Sequence, residues 1–275
     1  MLFALNYSPE AADLIASGDI QVDLFKTPPW EWMITEAAAY CPVAVHFELR
    51  AGSGKLAHTD WDEIERILES TSTRYVNAHL DAKLKDFPPD FENLPPEQRQ
   101  ELVTQALIHD LNPLVNHFGA DRVLIENAPY RGPEQTRKCR ESSLPEVFHA
   151  VIAATGCDFL LDLAHARITA AAFGIDPADY IAALPHERIK ELHISGIHLW
   201  GENRLQDHLE LLPEDWQWLD WAIEQTRTGR WPEAHLLAFE YGGTGPFFHE
   251  HSDRQVIANQ VPRMLAKIHS LNQTG

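Results

Sequence analysis

Cysteine is scarce in this chain, and basic residues are heavily outnumbered. The 275 residues include three cysteines, Cys41, Cys139 and Cys157. They form no CxxC pair and no even set, which excludes a disulfide scaffold and a thiolate-held structural zinc. Cys41 and Cys157 precede strand-like runs and read as small buried hydrophobes. Lys and Arg number 22 against 41 Asp and Glu, a net charge of −19. A surface of that sign repels phosphates, and no basic run offsets it, so a nucleic-acid partner is not expected. Solubility is its first use, and it also suits a basic partner or metal uptake. No apolar run approaches the roughly 18–20 residues of a membrane span. The opening MLFALNYSPEAADLIASG has neither a basic n-region nor a long apolar core. The expectation is therefore a soluble, cytoplasmic protein with no membrane partner. Phosphate fingerprints are missing too. Gly242, Gly243 and Gly245 do not form G-x-G-x-x-G, and residues 50–55 (RAGSGK) lack the Walker-A spacing and read as a turn.

Histidine, by contrast, is abundant at fifteen residues, and its placement is ordered. Apolar runs end in His, Asp or Glu at Val43-Ala44-Val45-His46, Tyr75-Val76-Asn77-Ala78-His79, Val123-Leu124-Ile125-Glu126, Phe159-Leu160-Leu161-Asp162, Glu191-Leu192-His193 and Leu236-Leu237-Ala238-Phe239-Glu240. Gln206-Asp207-His208 is a less regular seventh member. Continuous apolar runs bounded by turns are the mark of buried parallel strands. Strands are predicted at 2–7, 20–25, 43–49, 75–80, 122–127, 159–163, 189–194 and 236–241, alternating with amphipathic stretches such as 61–70, 96–118 and 144–155. Ser8-Pro9-Glu10, Asp176-Pro177 and Pro213-Glu214 read as helix starts. Eight such alternations, with no composition break, predict one α/β domain over residues 1–275, a (β/α)₈ TIM barrel.

A barrel builds its site at the carboxyl ends of its strands, where these polar residues fall. A lone His at a strand end is ordinarily a hydrogen-bonded core residue. Three imidazoles and three carboxylates at equivalent ends are different, because clustered buried carboxylates need a cation to neutralise them. The predicted metal ligands are Glu126, Asp162, His193 and Glu240, completed by His46, His79, His165 and His208. Asp162-Leu163-Ala164-His165 is a D-x-x-H step whose His is expected to reach in from a loop. Mixed imidazole and carboxylate ligation suits iron, zinc or manganese, and the surplus of ligands allows two or three ions. Three residues are candidates for catalytic roles. Glu48 shares a face with His46 if that strand continues. Asn127 could hold substrate, orient a ligand or simply end its strand. Asp207 neighbours His208. The long connections 83–96, 195–214 and 242–253 are expected to be lids at the same rim, with His249 and His251 as solvated residues of the last one.

These residues carry a resemblance. The stretches 123–132 (VLIENAPYRG), 144–163 with the following Ala164-His165, 180–185 (YIAALP) and 190–198 (KELHISGIH) are similar to the multinuclear non-haem iron-dependent oxidases. That group is catalogued as domain of unknown function 692, within the xylose-isomerase-like barrel superfamily. The similarity covers residues 40–245 and is densest over 121–198. Glu126-Asn127 matches the family's glutamate-asparagine-proline step, with Ala128 before the proline. Asp162, His193 and Glu240 match its later aspartate, histidine and glutamate, while His46 and His79 fall at its earlier histidines. Two departures stand out. The family's asparagines after the strand-six aspartate are replaced by Ala164-His165, and its D-T-H-D motif appears as Gln206-Asp207-His208-Leu209.

The resemblance implies an iron-dependent enzyme that uses O₂ to modify a peptide, commonly at cysteine, with a peptide-recognising partner protein. A small-molecule substrate is the variant of that reading. The alternatives are a xylose-isomerase-like sugar isomerase or epimerase, or a metal-assisted hydrolase, in which ions polarise a carbonyl or activate water. A further alternative is a barrel that binds metal or peptide without turnover.

Overall fold

A computed structural model describes residues 1–200, 204–244 and 251–271. Among them the strands are β1 (Leu2–Asn6), β2 (Leu24–Thr27), β3 (Val43–Val45), β4 (Leu49–Ala51), β5 (Val76–Leu80), β6 (Val123–Glu126), β7 (Asp158–Asp162), β8 (Ile189–Ile194), β9 (Gly196–Trp200), β10 (Arg204–Leu209) and β11 (Leu236–Phe239). The chain divides into two compact units, each made of segments distant in sequence. The first comprises Met1–His46, Arg66–Arg74 and Lys190–Gly275, the second Phe47–Glu65 and Tyr75–Ile189. Because both are discontinuous, no linker marks them in the composition.

In the first unit the strands pair in parallel in the order β3, β2, β1, β11, β8. All four residues of β2 and of β11 are buried, as expected of strands covered on both faces. Ala4, Leu24, Ala44, Leu236 and Ala238 pack as one cluster of small and branched side chains. Ser8 caps the helix Pro9–Ala16 by accepting from the Ala11 N–H at 3.2 Å, with Pro9 at its first position, an arrangement worth about 1 kcal/mol. In the second unit β4, β5, β6 and β7 pair in parallel. Leu124 and Leu160 are fully buried beside Tyr75, and each such leucine contributes roughly 1.5–3 kcal/mol. The helices Pro96–Phe118, Pro145–Thr155 and Leu163–Phe173 accompany these strands. The first ends at Gly119, and the other two at the left-handed Gly156 and Gly174.

Three expectations need correction. The run 20–25 forms its strand later, at Leu24–Thr27, because Asp23 is used as an acceptor by the Phe3 N–H at 2.8 Å. The run 43–49 is two strands, since the chain leaves the sheet at His46, Phe47 and Glu48. The connection 195–214 is no structureless lid. It holds an antiparallel hairpin of β9 and β10, with Gly196 opposite Leu209. A Cβ on Gly196 would stand 1.8 Å from the Glu210 carbonyl oxygen, so only glycine fits. Of the connection 242–253, residues 245–250, including Gly245 and His249, lie outside the described residues; His251 is half-buried.

The RAGSGK turn does bind an anion, and the anion is the protein's own. Asp110 accepts from the Gly52, Ser53 and Gly54 amides through Oδ2 and from Leu56 through Oδ1, at 2.8–3.2 Å. No described helix is long and apolar enough to cross a membrane.

Candidate metal centre

Each unit gathers its own set of ligand-type side chains at the carboxyl ends of its parallel strands. In the first unit these are His46, one residue beyond β3, His193 on β8 and Glu240, one residue beyond β11. Ligand atoms of all three lie within 4.8 Å of one another. Metal bonds of roughly 2.0–2.2 Å hold coordinating atoms about that close, so the set fits one ion. His193 Nδ1 is 2.9 Å from Glu240 Oε1, and the His46 and His193 rings are 5.3 Å apart. His208 Nδ1 approaches the other oxygen of Glu240 at 3.8 Å. Burial alone would raise the Glu240 carboxyl; His193, then His208 and His46, outweigh it and hold the group well below its ordinary value. Glu240 is therefore a carboxylate, ready to ligate.

His208 reaches this place by an unusual backbone. It sits at a register irregularity of the β9–β10 hairpin, with φ of 60°. A non-glycine residue in the left-handed region costs on the order of 1–3 kcal/mol, a strain that accumulates at functional positions. The bulge turns His208 towards Glu240 and leaves Asp207 and Gln206 buried, with Gln206 Nε2 donating to Asp207 Oδ1 at 3.0 Å.

Two further residues of this unit, Lys26 and Glu191, were not anticipated. Glu191 Oε1 lies 2.8 Å from His193 Nε2 and accepts from the buried Lys26 ammonium, whose Nζ is 2.6 Å from the same ring nitrogen. Lys26 and Glu191 thereby fix the ring from its Nε2 side and turn Nδ1 towards Glu240. Both residues had a signal. Glu191 stands two positions before His193, on the same strand face, and Lys26 is a lone charge in an otherwise apolar run.

The second unit collects Glu126 at the end of β6, Asp162 at the end of β7, and His165, again with ligand atoms inside 4.8 Å. Glu126 accepts from the Asn77 amide at 3.1 Å through Oε2, and its Oε1 lies 3.2 Å from His79 Nε2 and 3.7 Å from His165 Nδ1. His165 is not on a loop. Asp162 caps the helix Leu163–Phe173, accepting from the His165 N–H at 2.7 Å, and its other oxygen is 3.5 Å from His165 Nδ1. The D-x-x-H spacing is thus a helix cap that folds its third residue back onto the capping carboxylate. Two buried carboxylates so close repel each other unless a cation lies between them, so this set fits a metal as well.

The remaining candidates divide. Asn127 braces β6 against β7: its amide donates to the Asp162 carbonyl and its Oδ1 accepts from the Asp162 N–H, both at 2.8 Å, while its own carbonyl meets His165 Nδ1 at 3.1 Å. It orients two ligands. Glu48 is exposed, and the strand continuity that would have set it beside His46 is absent. Cys139 and Cys157 are buried, and burial pushes their thiols up to about 12 and about 11; neither is a thiolate.

Solved structures of similar fold cover nearly the whole chain. A D-psicose 3-epimerase solved with D-fructose superposes with a TM-score of 0.55 at 12% identity, over 98% of this chain and 99% of that one. An L-ribulose 3-epimerase does so with a TM-score of 0.52 at 16% identity, over 99% and 95%. The fold is the xylose-isomerase-like TIM barrel. In sequence, a UPF0276 protein of Acaryochloris marina is 30% identical over 168 residues, 59% of this chain and 58% of that protein. One of Psychromonas ingrahamii is 23% identical over 169 residues, 59% and 56%. The chain therefore matches a little over half the length of these relatives. The profile of the RiPP precursor modification enzymes MbnB/TglH/ChrH matches residues 23–233, and the chain belongs to that family.

Proposed function

We propose that this protein is an iron-dependent, O₂-using oxidase that modifies a peptide. The observation that carries the reading is the pair of ligand sets: His46, His193 and Glu240 in one unit, and Glu126, Asp162 and His165 in the other. Imidazole and carboxylate donors without thiolate hold iron while leaving positions open, and membership among the RiPP precursor modification enzymes supports a peptide as substrate. His46, His193, His208 and Glu240 would hold one ion; Glu126, Asp162, His165 and His79 would hold another. Bound iron would supply the electron transfer to O₂.

The chain's own residues prepare those positions. Glu191 and Lys26 hold the His193 ring from its Nε2 side, and Lys26 balances the charge of Glu191. Asn77 donates to the Glu126 carboxylate, and Asn127 holds the backbone of Asp162. Pre-set ligands of this kind lower the cost of ordering on binding. A peptide-recognising partner protein belongs to the same proposal.

The test is anaerobic purification, loading with ferrous iron, elemental analysis, and spectra before and after exposure to air. Stoichiometric iron that changes oxidation state supports the oxidase. Iron held only adventitiously, or inert to O₂, overturns it, and sugar turnover without O₂ would establish an epimerase instead.

A further inference from the structure

One group of charges in the second unit has no part in ligation. Asp81, buried and one residue beyond β5, accepts from Arg50 Nη1 at 2.6 Å through one oxygen and from Lys83 Nζ at 2.7 Å through the other. Lys138 adds a third positive charge acting on the same carboxylate. Lys138 is buried as well, and its ammonium donates to the Ala128 carbonyl at 2.5 Å. Three cations thus surround one carboxylate whose two oxygens are already engaged.

The backbone enforces this crowding. Lys83 and Lys138 are directly opposed in an isolated antiparallel bridge, flanked by bonds from the Leu84 N–H to the Arg137 carbonyl and from the Cys139 N–H to the Ala82 carbonyl. Like charges placed directly opposite destabilise a pair of strands. A buried ammonium has three donors, and among the described residues Lys138 uses one of them. Burial pushes Lys138 down to about 7, as expected of an ammonium without a full set of anionic partners. In a chain of net charge −19, such a surplus of positive charge is not a general property of the surface.

Its position ties it to the metal ligands. Arg50 on β4 is the register partner of His79 on β5, and paired residues of parallel strands share a face. The Asp81 N–H continues that ladder to the Ala51 carbonyl, placing Asp81, two residues after His79, on the same side. Arg50 remains 60% exposed and Lys83 30% exposed while paired to Asp81. Both therefore keep donors open to an incoming group.

We propose that Arg50, Lys83 and Lys138 form a carboxylate-binding subsite beside His79, which selects peptides bearing an acidic group close to the residue being modified. The inference rests on the peptide-modification reading for the carrier of the carboxylate, whereas its binding test requires no turnover. The carboxylate is an Asp or Glu side chain or the peptide's C-terminal group.

The experiment selects random hexapeptides on the metal-loaded full chain, from one library with free C-termini and one with amidated C-termini. Acidic residues, or free C-termini, should be enriched about tenfold or more, the scale of a charge-assisted hydrogen bond. The preference should vanish in Arg50→Gln/Lys83→Gln and turn towards basic residues in Lys83→Glu, with metal content unchanged in both. Enrichment in both libraries assigns a side chain, and enrichment in the free-acid library alone assigns the C-terminus. Enrichment of basic residues by the wild type, as net charge alone dictates, overturns the proposal. So does no enrichment, or an acidic preference that survives in both variants. Failure of iron to react with O₂ would count against the oxidase reading and leave this binding result unaffected.

Discussion

The two ligand sets solve one electrostatic problem in different ways. The set of His46, His193 and Glu240 is imidazole-rich, and it has a protein cation, Lys26, in contact with His193 and Glu191. The set of Glu126, Asp162 and His165 places two buried carboxylates together, braced by Asn77 and Asn127. Carboxylate-rich sets favour harder cations and imidazole-rich sets suit zinc and iron. The difference teaches that one sequence pattern, an acid or His at the end of an apolar run, can yield sites of opposite charge balance. What separates them is the neighbours that tertiary structure supplies.

The largest test of that contrast removes one carboxylate from each set. E126Q should cost about one bound ion per chain, because three protein ligands are the usual number for a tight open site. When the stripped protein is titrated with Mn²⁺, E126Q should lose the binding that E240Q retains, whereas E240Q should lose the tighter Zn²⁺ site. Equal losses in both variants, read by elemental analysis and competition with a chromogenic chelator, would collapse the distinction between the sets.

E191Q probes the neighbour rather than the ligand. A glutamine removes the charge that pairs with Lys26 and weakens the hold on the His193 ring, whose Nδ1 faces Glu240. Loss of such an outer partner typically lowers affinity about 10–100-fold. The loss should be confined to the set of His46, His193 and Glu240, and an unchanged chelator competition curve would show that Glu191 does not support it.

A third effect belongs to the second unit alone. The Lys138 ammonium, pushed from 10.5 to about 7 by burial, is penalised in the folded state. Between those values the unfolded chain binds more protons, so this group makes stability rise with pH across the window. K138M should therefore melt several degrees higher than the wild type below pH 7, with the gain shrinking towards pH 10.5. A gain independent of pH would show that packing, not charge, is the cause.

The smallest effect is the strain at His208. H208G relieves a left-handed non-glycine residue and should raise stability by about 1 kcal/mol while weakening metal binding at the set of His46, His193 and Glu240. If thermal melting and metal affinity fall together, the φ of 60° is not stored strain.

Much of the fold was legible because it depends on short-range pattern. Apolar runs bounded by turns marked the parallel strands, and β1, β5, β6, β7, β8 and β11 lie within a residue or two of their expected bounds. Ser8-Pro9 and Asp176-Pro177 marked helix starts for the same local reason, since cap and first turn are set by adjacent residues. Each predicted ligand also falls at or next to a strand end, except His165, in the first turn of a helix, and His208, at the bulge of β10.

What the sequence by itself determined was thus the type and spacing of elements and the chemistry offered at their ends, both properties of neighbours along the chain. Tertiary structure decided the rest. It broke the 43–49 run at His46, set Glu48 in solvent, paired β9 with β10 where Gly196 meets Leu209, and made His165 the third residue of a capped helix. It also brought Lys26 to Glu191 across 165 positions, and Arg50, Lys83 and Lys138 to one carboxylate. Such meetings depend on strand order and register, and on the cost of leaving a buried charge without a partner. Neither is written in any local window of residues.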